Sequence, residues 1–301
     1  MDAADLRIFE AVARLGGMNR AAGELHTVQS NVTHRIRLLE DELGAPLFRR
    51  NSRGVTLTAA GERLMPYALR VGQLLSEARR AVDDTGTPQG KLAIGSLEST
   101  LALRLSPALA SYAKSFPDVD LTIETGTSAE LVDAVLAHKL DGAFVCGPVD
   151  HAALAGETVF HEDLAIVTPP ALRRLGNLTA SNGVKIVVLR AGCSYRQRLE
   201  EILARRGIVG LRRLEFGTLD AIIGCVAAGI GVTLLPRNLA EAARRAGKVR
   251  IHALSNAESR VDTVFIRRRD AMTSSALTAF VAHTEQTSRA VDQRGRSLKT
   301  S

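Results

Sequence analysis

Cysteine is scarce in this chain: three in 301 residues, at Cys146, Cys193 and Cys225. An odd, sparse set fits reduced thiols and excludes a disulfide framework. No Cys/His pair has zinc-like spacing, so no metal is expected, and no cofactor either. Long apolar runs are missing too: none nears the ~20 residues that span a bilayer, so no membrane partner is expected. The start, MDAADLRIFEAVARLGG, has no basic n-region and carries Asp2, Asp5 and Glu10. That reads against a secretory leader and for a cytoplasmic protein. Enzyme signatures are absent as well. There is no nucleophile elbow, no HExxH, no P-loop and no GxGxxG between a strand and a helix. The seven histidines form no close constellation in sequence. The reading is therefore not an enzyme.

Lysine is absent from the first 90 residues, where 12 Arg stand against 11 Asp and Glu. The chain as a whole carries +7. The excess lies later, in RRAGKVR (244–250), in Arg267–Arg269 and in SRAVDQRGRSLKT (288–300). Bulk charge therefore does not locate a nucleic-acid site, and local motifs must. What is present is otherwise ordinary: 46% hydrophobic and 24% charged residues, in a length that suits two or more domains.

The first 57 residues read as short helices and a hairpin. Leu6, Phe9, Val12 and Ala13 recur at helical spacing, and Gly16–Gly17 stop that helix. Asn19 is placed to cap a second helix, RAAGELH. In the third, Val32, Ile36, Leu39 and Leu43 make one apolar face, with Ser30, Asn31, His34 and Arg37 roughly opposite. Gly44 and Pro46 end it. PLFRRNSRGVTLT then pairs two apolar pieces, Leu47–Phe48 and Val55–Leu57, around a basic turn with Arg49, Arg50 and Arg53. Three short helices and a basic hairpin make a winged helix-turn-helix pattern.

Thr58 caps a long helix in which Leu64, Ala68, Val71, Leu75, Ala78 and Val82 follow a heptad spacing. The seam packs either on its own domain or on a second copy. Pro66 should kink the helix. DDTGTPQG forms a hinge. From Lys91 strands alternate with amphipathic helices: KLAIGSL, VDLTIETG, LDGAFVCG, LAIVTP, KIVVLRAG, GVTLLP and DTVFIRR. That alternation predicts an α/β fold with largely parallel sheets, in two lobes with a ligand cleft between them.

With these segments in place, the chain resembles the LysR-type transcriptional regulators. The resemblance rests on LRIFEAVARLGGMNRAAGELHTVQSNVTHRIRLLEDELGAPLFRRNSRGVTLTAAGERL, and beyond it on the strand–helix pattern. It implies an N-terminal all-α winged helix-turn-helix, a long dimerisation helix, and a type 2 periplasmic-binding-protein-like α/β effector domain of two lobes. The divisions are 1–57, 58–85, a hinge at 86–90, the effector domain at 91–290 and a flexible tail at 291–301. Lobe I takes about 91–160 and 266–290; lobe II takes about 161–265. The resemblance further implies a homodimer through the long helix, a homotetramer, and partners in double-stranded DNA, a small effector and RNA polymerase. The chain departs from the family at Gly17-Met18-Asn19 and at Val28-Gln29-Ser30-Asn31, so no operator sequence carries over.

A recognition helix meets base edges with its N-terminal half. Gln29 and Asn31 can pair with adenine; Ser30, Thr33 and His34 can donate or accept; Arg37 can reach guanine or phosphate. Arg49, Arg50 and Arg53 suit phosphate or the minor groove. Asn19 and Arg20 complete the DNA-facing set. Effector residues are expected beyond the carboxyl ends of strands, near helix starts. These are Glu98, Ser99, Thr100, Thr127, Ser128, Cys146, Gly147, Cys193, Ser194, Tyr195, Arg196 and Thr218. Hydroxyls and backbone N–H groups there favour a carboxylate or other small anion, with Arg196 as counter-charge. The same Ser and Thr residues also read as plain helix caps. Glu98 would repel an anion, and is read as an amine ligand, an arginine partner or a surface group. Two rival readings remain: a redox sensor built on Cys193, and a small-ligand binding protein without a regulatory role.

Overall fold

The computed structural model describes residues 1–51, 54–180, 183–189 and 194–297. The chain divides into two compact units, Met1–Asp83 and Asp84–Ser301.

The first unit opens with α1 (Ala3–Leu15), capped by Asp2 in a reciprocal box with Asp5 and closed by Gly16 at φ 64°. Next come α2 (Met18–Glu24), α3 (Gln29–Leu43), the antiparallel pair β1 (Phe48–Asn51) and β2 (Gly54–Leu57), and α4 (Ala59–Asp83). Their core holds Leu6, Phe9, Val12, Met18, Val32, Ile36, Leu39, Leu47, Phe48 and Ala68. Burying each large side chain contributes roughly 1.5–3 kcal/mol. Two expectations shift. Gly17, not Asn19, stands at the N-cap of α2, with no side-chain cap; Asn19 is exposed within the first turn. Leu43, assigned to the buried face of α3, is 39% exposed, because the apolar contacts of that helix end at Leu39.

Thr58 does cap α4: its Oγ1 accepts from Gly61 N at 3.1 Å and donates to Pro46 O at 2.6 Å. The seam on α4 divides. Leu64, Ala68 and Val71 pack on the unit's own core, while Leu75 and Val82 are 47% and 83% exposed. The helix runs through Pro66 without a break in its assignment.

The second unit starts with β3 (Gly90–Ser96) and the short α5 (Glu98–Thr100), which continues through a π-helical turn into α6 (Ser106–Ser115). Then follow β4 (Val119–Thr125), α7 (Ser128–Leu136), β5 (Gly142–Cys146) and the long β6 (Leu154–Thr168). After it come β7 (Lys185–Leu189), α8 (Ser194–Arg205), β8 (Arg212–Phe216), α9 (Leu219–Ala227) and β9 (Thr233–Pro236). The chain closes with α10 (Arg237–Arg245), β10 (Arg250–Ala253), α11 (Asn256–Ser259), β11 (Arg260–Arg268) and α12 (Ser275–Ser297).

Lobe I stacks β4-β3-β5-β11-β6, with α6 and α12 on one face and α7 on the other. Strand alternation does this: in β5, Phe144 joins the aromatic cluster under α6 and α12, while Ala143 and Val145 face α7. Lobe II is built likewise. In β6, Leu164 and Ile166 pack under α8, whereas Val167 packs under α9 and α10. The β7–β8 pair joins it through Val187 N donating to Val232 O at 2.8 Å and Val232 N to Lys185 O at 3.0 Å.

The sheets are mixed, not largely parallel. β6 and β11 run antiparallel to each other through both lobes, with a register shift between Thr263 and Val264. The expected lobe boundaries, at 160/161 and 265/266, therefore fall inside two continuous strands. α12 carries helix to Ser297, through most of the stretch read as a flexible tail. Among the described residues, no helix is long and apolar enough to cross a membrane.

Candidate functional site

The first unit offers one polar helix face. On α3, Gln29, Ser30, Asn31, His34 and Arg37 are exposed and Thr33 is half-buried, while Val32, Ile36 and Leu39 face inward. Two of these side chains bond locally: Gln29 Nε2 donates to Thr33 Oγ1 at 2.8 Å, and Asn31 Nδ2 to Thr27 Oγ1 at 3.0 Å. Both bonds are solvent-exposed, so exchanging them for base contacts costs little.

Half-buried Arg35, Asp5 and Glu40, with the exposed Asp2, fix the position of α3. Arg35 donates to both Asp2 oxygens at 2.9 and 3.0 Å, and its Nε lies 2.6 Å from Asp5 Oδ1 without hydrogen-bond alignment. The Asp5 amide, and after it Arg35, hold the Asp2 carboxyl below its usual range. At the other end, Glu40 Oε1 accepts from Leu47 N at 2.7 Å and Phe48 N at 3.1 Å, tying α3 to the wing. Val55 N donates to Gly16 O, tying the wing to the turn between α1 and α2. Sequence reading missed Arg35 and Glu40, because a charged residue on a surface helix reads as a solubilising one.

The wing is a hairpin, with Arg49 opposite Thr56 and Arg50 opposite Val55. Arg49 and Arg20 are exposed. Arg53 and the side chain of Arg50 lie outside the described residues.

The second unit holds a cavity of about 300 Å³ between its lobes. Lobe I contributes Leu97, Glu98, Ser99, Thr125–Ser128 and Cys146; lobe II contributes Leu189, Ser194, Tyr195, Gly217 and Thr218. Eight of the twelve expected effector residues are among these. The others fall elsewhere. Thr100 is buried away from the cavity wall, and Gly147 lines neighbouring grooves. Cys193 lies outside the described residues.

Arg196 turns away from the counter-charge role. Its Nη1 lies 2.6 Å from Glu215 Oε1 and its Nε 3.3 Å from Glu200 Oε1. Arg213 first, and Arg196 after it, hold the Glu200 carboxyl below its usual range.

Among the described residues, side-chain bonds join the walls across the cleft. Glu98 Oε1 accepts from Leu219 N, the first amide of α9, at 3.0 Å. Ser99 Oγ donates to Tyr195 Oη at 3.4 Å, and Ser194 Oγ to Ser128 Oγ at 3.3 Å. Ser128 Oγ also accepts from Cys146 N at 3.1 Å. Thr127 and Thr218 serve as N-caps of α7 and α9, as the plain reading of such residues has it. Glu98 lines the cavity and caps a helix of the facing lobe, a bond that sequence reading did not foresee. Leu97, Thr125, Gly126, Leu189 and Gly217 were not singled out, although each adjoins a strand end already marked. The described thiols, Cys146 and Cys225, are in no disulfide; Cys146 lines the cavity and Cys225 packs against the lobe II core.

A winged helix-turn-helix unit followed by a two-lobed α/β unit with a cleft defines a class, the DNA-binding transcriptional regulators. Comparison with known proteins supplies the family. Bacterial regulatory helix-turn-helix protein, lysR family, matches residues 3–62, and the LysR substrate binding domain matches residues 85–289. The chain belongs to the LysR family of transcriptional regulators. It is 41% identical over 278 residues to HTH-type transcriptional regulator GltR of Bacillus subtilis (strain 168), covering 92% of this chain and 94% of that one. Among solved structures, a full-length OxyR from Pseudomonas aeruginosa shares the fold at a TM-score of 0.68 and 20% identity, covering 95% of this chain and 98% of that one. Full-length CbnR complexed with its target DNA does so at 0.64 and 22%, covering 95% and 100%.

Proposed function

We propose that this regulator binds a small effector in the interlobe cavity and passes its occupancy to DNA binding. The observation that carries the proposal is the cavity itself: about 300 Å³, walled by both lobes, and bridged by side chains that a ligand must replace. A ligand bonding Ser99 and Ser128 on one side and Ser194 and Tyr195 on the other exchanges direct lobe–lobe bonds for its own. It thereby favours one lobe arrangement over another.

The effector we propose is a small carboxylate or related anion. Hydroxyls and helix starts line the cavity, and one oxygen of Glu98 is taken up by the α9 amide. With Arg196 paired elsewhere, the ligand needs a hydrogen-bond donor toward Glu98 besides its anionic end. On the DNA side, α3 enters the major groove: Gln29, Ser30, Asn31, Thr33, His34 and Arg37 meet bases, while Asn19, Arg20 and the wing arginines hold the backbone. The exposed half of α4 pairs with a second copy, and two dimers form the tetramer that the family resemblance implies. RNA polymerase is the further partner at the promoter.

The test is a thermal-shift screen of small hydroxy- and amino-carboxylates, with matched amines and alcohols, on the full chain. A ligand at 100 times its Kd adds about 2.7 kcal/mol of stability. A carboxylate that raises Tm in the wild type but not in Ser99→Ala or Ser128→Ala supports the proposal. A hit whose shift survives both substitutions places its site elsewhere.

A further inference from the structure

Charge is segregated in the second unit. Residues 161–265 hold 16 Lys and Arg against 9 Asp and Glu, while residues 84–160 hold 4 against 10. Much of the lobe II arginine is committed. Arg196 pairs with Glu200 and Glu215, Arg213 with Glu200, and Arg205 and Arg206 with Glu258. Arg198 donates to the carbonyls of Ala257, Glu258 and Arg260.

A second group is less committed. α10 buries Ala240, with Leu239 and Ala243 packed beside it, against Val167, Val249 and Ile251. Its outward positions are therefore Arg237, Glu241, Arg244 and Arg245, spaced i, i+4, i+7 and i+8. The chain turns at Gly247, at φ 71°, and Lys248 and Arg250 follow on the way into β10, the edge strand of its sheet. Arg250 Nε donates to Pro170 O at 2.8 Å, which brings the loop with Arg173 and Arg174 alongside. Arg173, Arg174, Arg244, Arg245, Lys248 and Arg250 are all exposed. The one carboxylate paired with any of them is Glu241, among the described residues. Compensation of the α10 dipole accounts for Arg244 and Arg245 only; the other four sit on different elements.

We propose that this face of lobe II binds the sugar-phosphate backbone of duplex DNA, as a contact separate from α3 and the wing. Guanidinium forks match phosphate oxygens, and five of the six cations are arginine. None of the six is interleaved with an exposed aromatic ring on which an unpaired base would stack, so the fit is to a duplex and not to a single strand. The family's own ligand supplies the polyanion. Once the helix-turn-helix unit holds a site, flanking duplex is present at high effective concentration, and a weak phosphate contact suffices. An acidic protein segment offers the same sign of charge, but nothing in the molecule holds it near.

The experiment measures binding of the full chain to a labelled duplex of about 100 bp from upstream of its own gene, across a salt series. A random duplex of equal length runs beside it. Each phosphate contact adds about 0.9 to the slope of log K against log salt. The variant Arg244→Gln/Arg245→Gln/Lys248→Gln is expected to flatten the slope by about two to three units on both duplexes. Arg173→Gln/Arg174→Gln, on another element, is expected to flatten it by one to two, which guards against an α10 variant that misfolds. Arg212→Gln/Arg260→Gln removes charge elsewhere in lobe II and should leave the slope in place. Unchanged slopes in folded variants overturn the proposal, as does an equal change in the control pair. Loss of polyglutamate binding with the DNA slope intact also overturns it, in favour of an acidic protein.

Discussion

At the scale of single residues, several positions have consequences that can be measured. Gly61 lies in the first turn of α4, where a Cβ would sit 2.4 Å from Leu47 O and 2.8 Å from Leu57 Cδ2. Alanine is ordinarily the better helix former by about 1 kcal/mol. Here the clash is with backbone that cannot swing aside, so Gly61→Ala is expected to lower stability; a raised Tm would show that the wing yields freely. His252 works through pH. Burial pushes its imidazole below the ordinary value of 6.5, and Thr168 Oγ1 lies 2.9 Å from Nε2. Above pH 6.5 both folded and unfolded chains hold it neutral, and it carries no penalty. As pH falls below 6.5 the unfolded chain takes the proton first, so stability is lost on that side. Melts between pH 7.5 and 5.5 should fall more steeply for the wild type than for His252→Gln, and parallel lines would contradict the assignment. Gln29 is proposed above to read bases. Gln29→Ala should cost about 1–3 kcal/mol on the cognate site alone; an equal loss on random duplex would remove its base-reading role.

At the scale of elements, α4 serves two purposes along one seam. Its first half is held by the core of its own unit, and its second half leaves Leu74, Leu75 and Val82 in water. Pairing with another copy, as proposed above, would cover them. Leu75→Arg/Val82→Arg is therefore expected to shift the protein to monomer in sedimentation equilibrium while its secondary structure persists. An unchanged assembly would mean that α4 does not form the interface. These elements also mark how far sequence reading reaches. Period and punctuation located α1, α3, α4 and most strands, since a 3.6-residue stripe or an apolar run bounded by glycine is a local signal. β10 and the first half of β6 went unseen: GETVFHED is mostly polar, and RIHA is short and on a sheet edge. The crossing of β6 and β11 has no local signature, so the mixed sheet was read as parallel. The cleft was legible as strand ends carrying hydroxyls. Its partners were not, because the bonds of Glu98 to Leu219 and of Arg196 to Glu215 span 121 and 19 residues of chain.

For the whole molecule, the +7 charge is the sum of an acidic stretch at 84–160, basic stretches at 161–265 and 266–301, and a nearly balanced DNA-binding unit. Net charge thus says little about where operator DNA is read, and more about what lobe II can meet. The central claim is that the interlobe cavity and the DNA-reading face are coupled in one molecule. Coupling between sites is reciprocal: if a ligand changes affinity for DNA by some factor, DNA changes affinity for the ligand by the same factor. The most direct measurement titrates the full chain with upstream duplex, with and without the carboxylate found by thermal shift, and then titrates that carboxylate with and without duplex. The account predicts equal factors, on the order of 5–150-fold, in both directions for the wild type, and DNA affinity unchanged by the carboxylate for Ser128→Ala. A ligand that occupies the cavity at saturation while DNA affinity stays unchanged would contradict it.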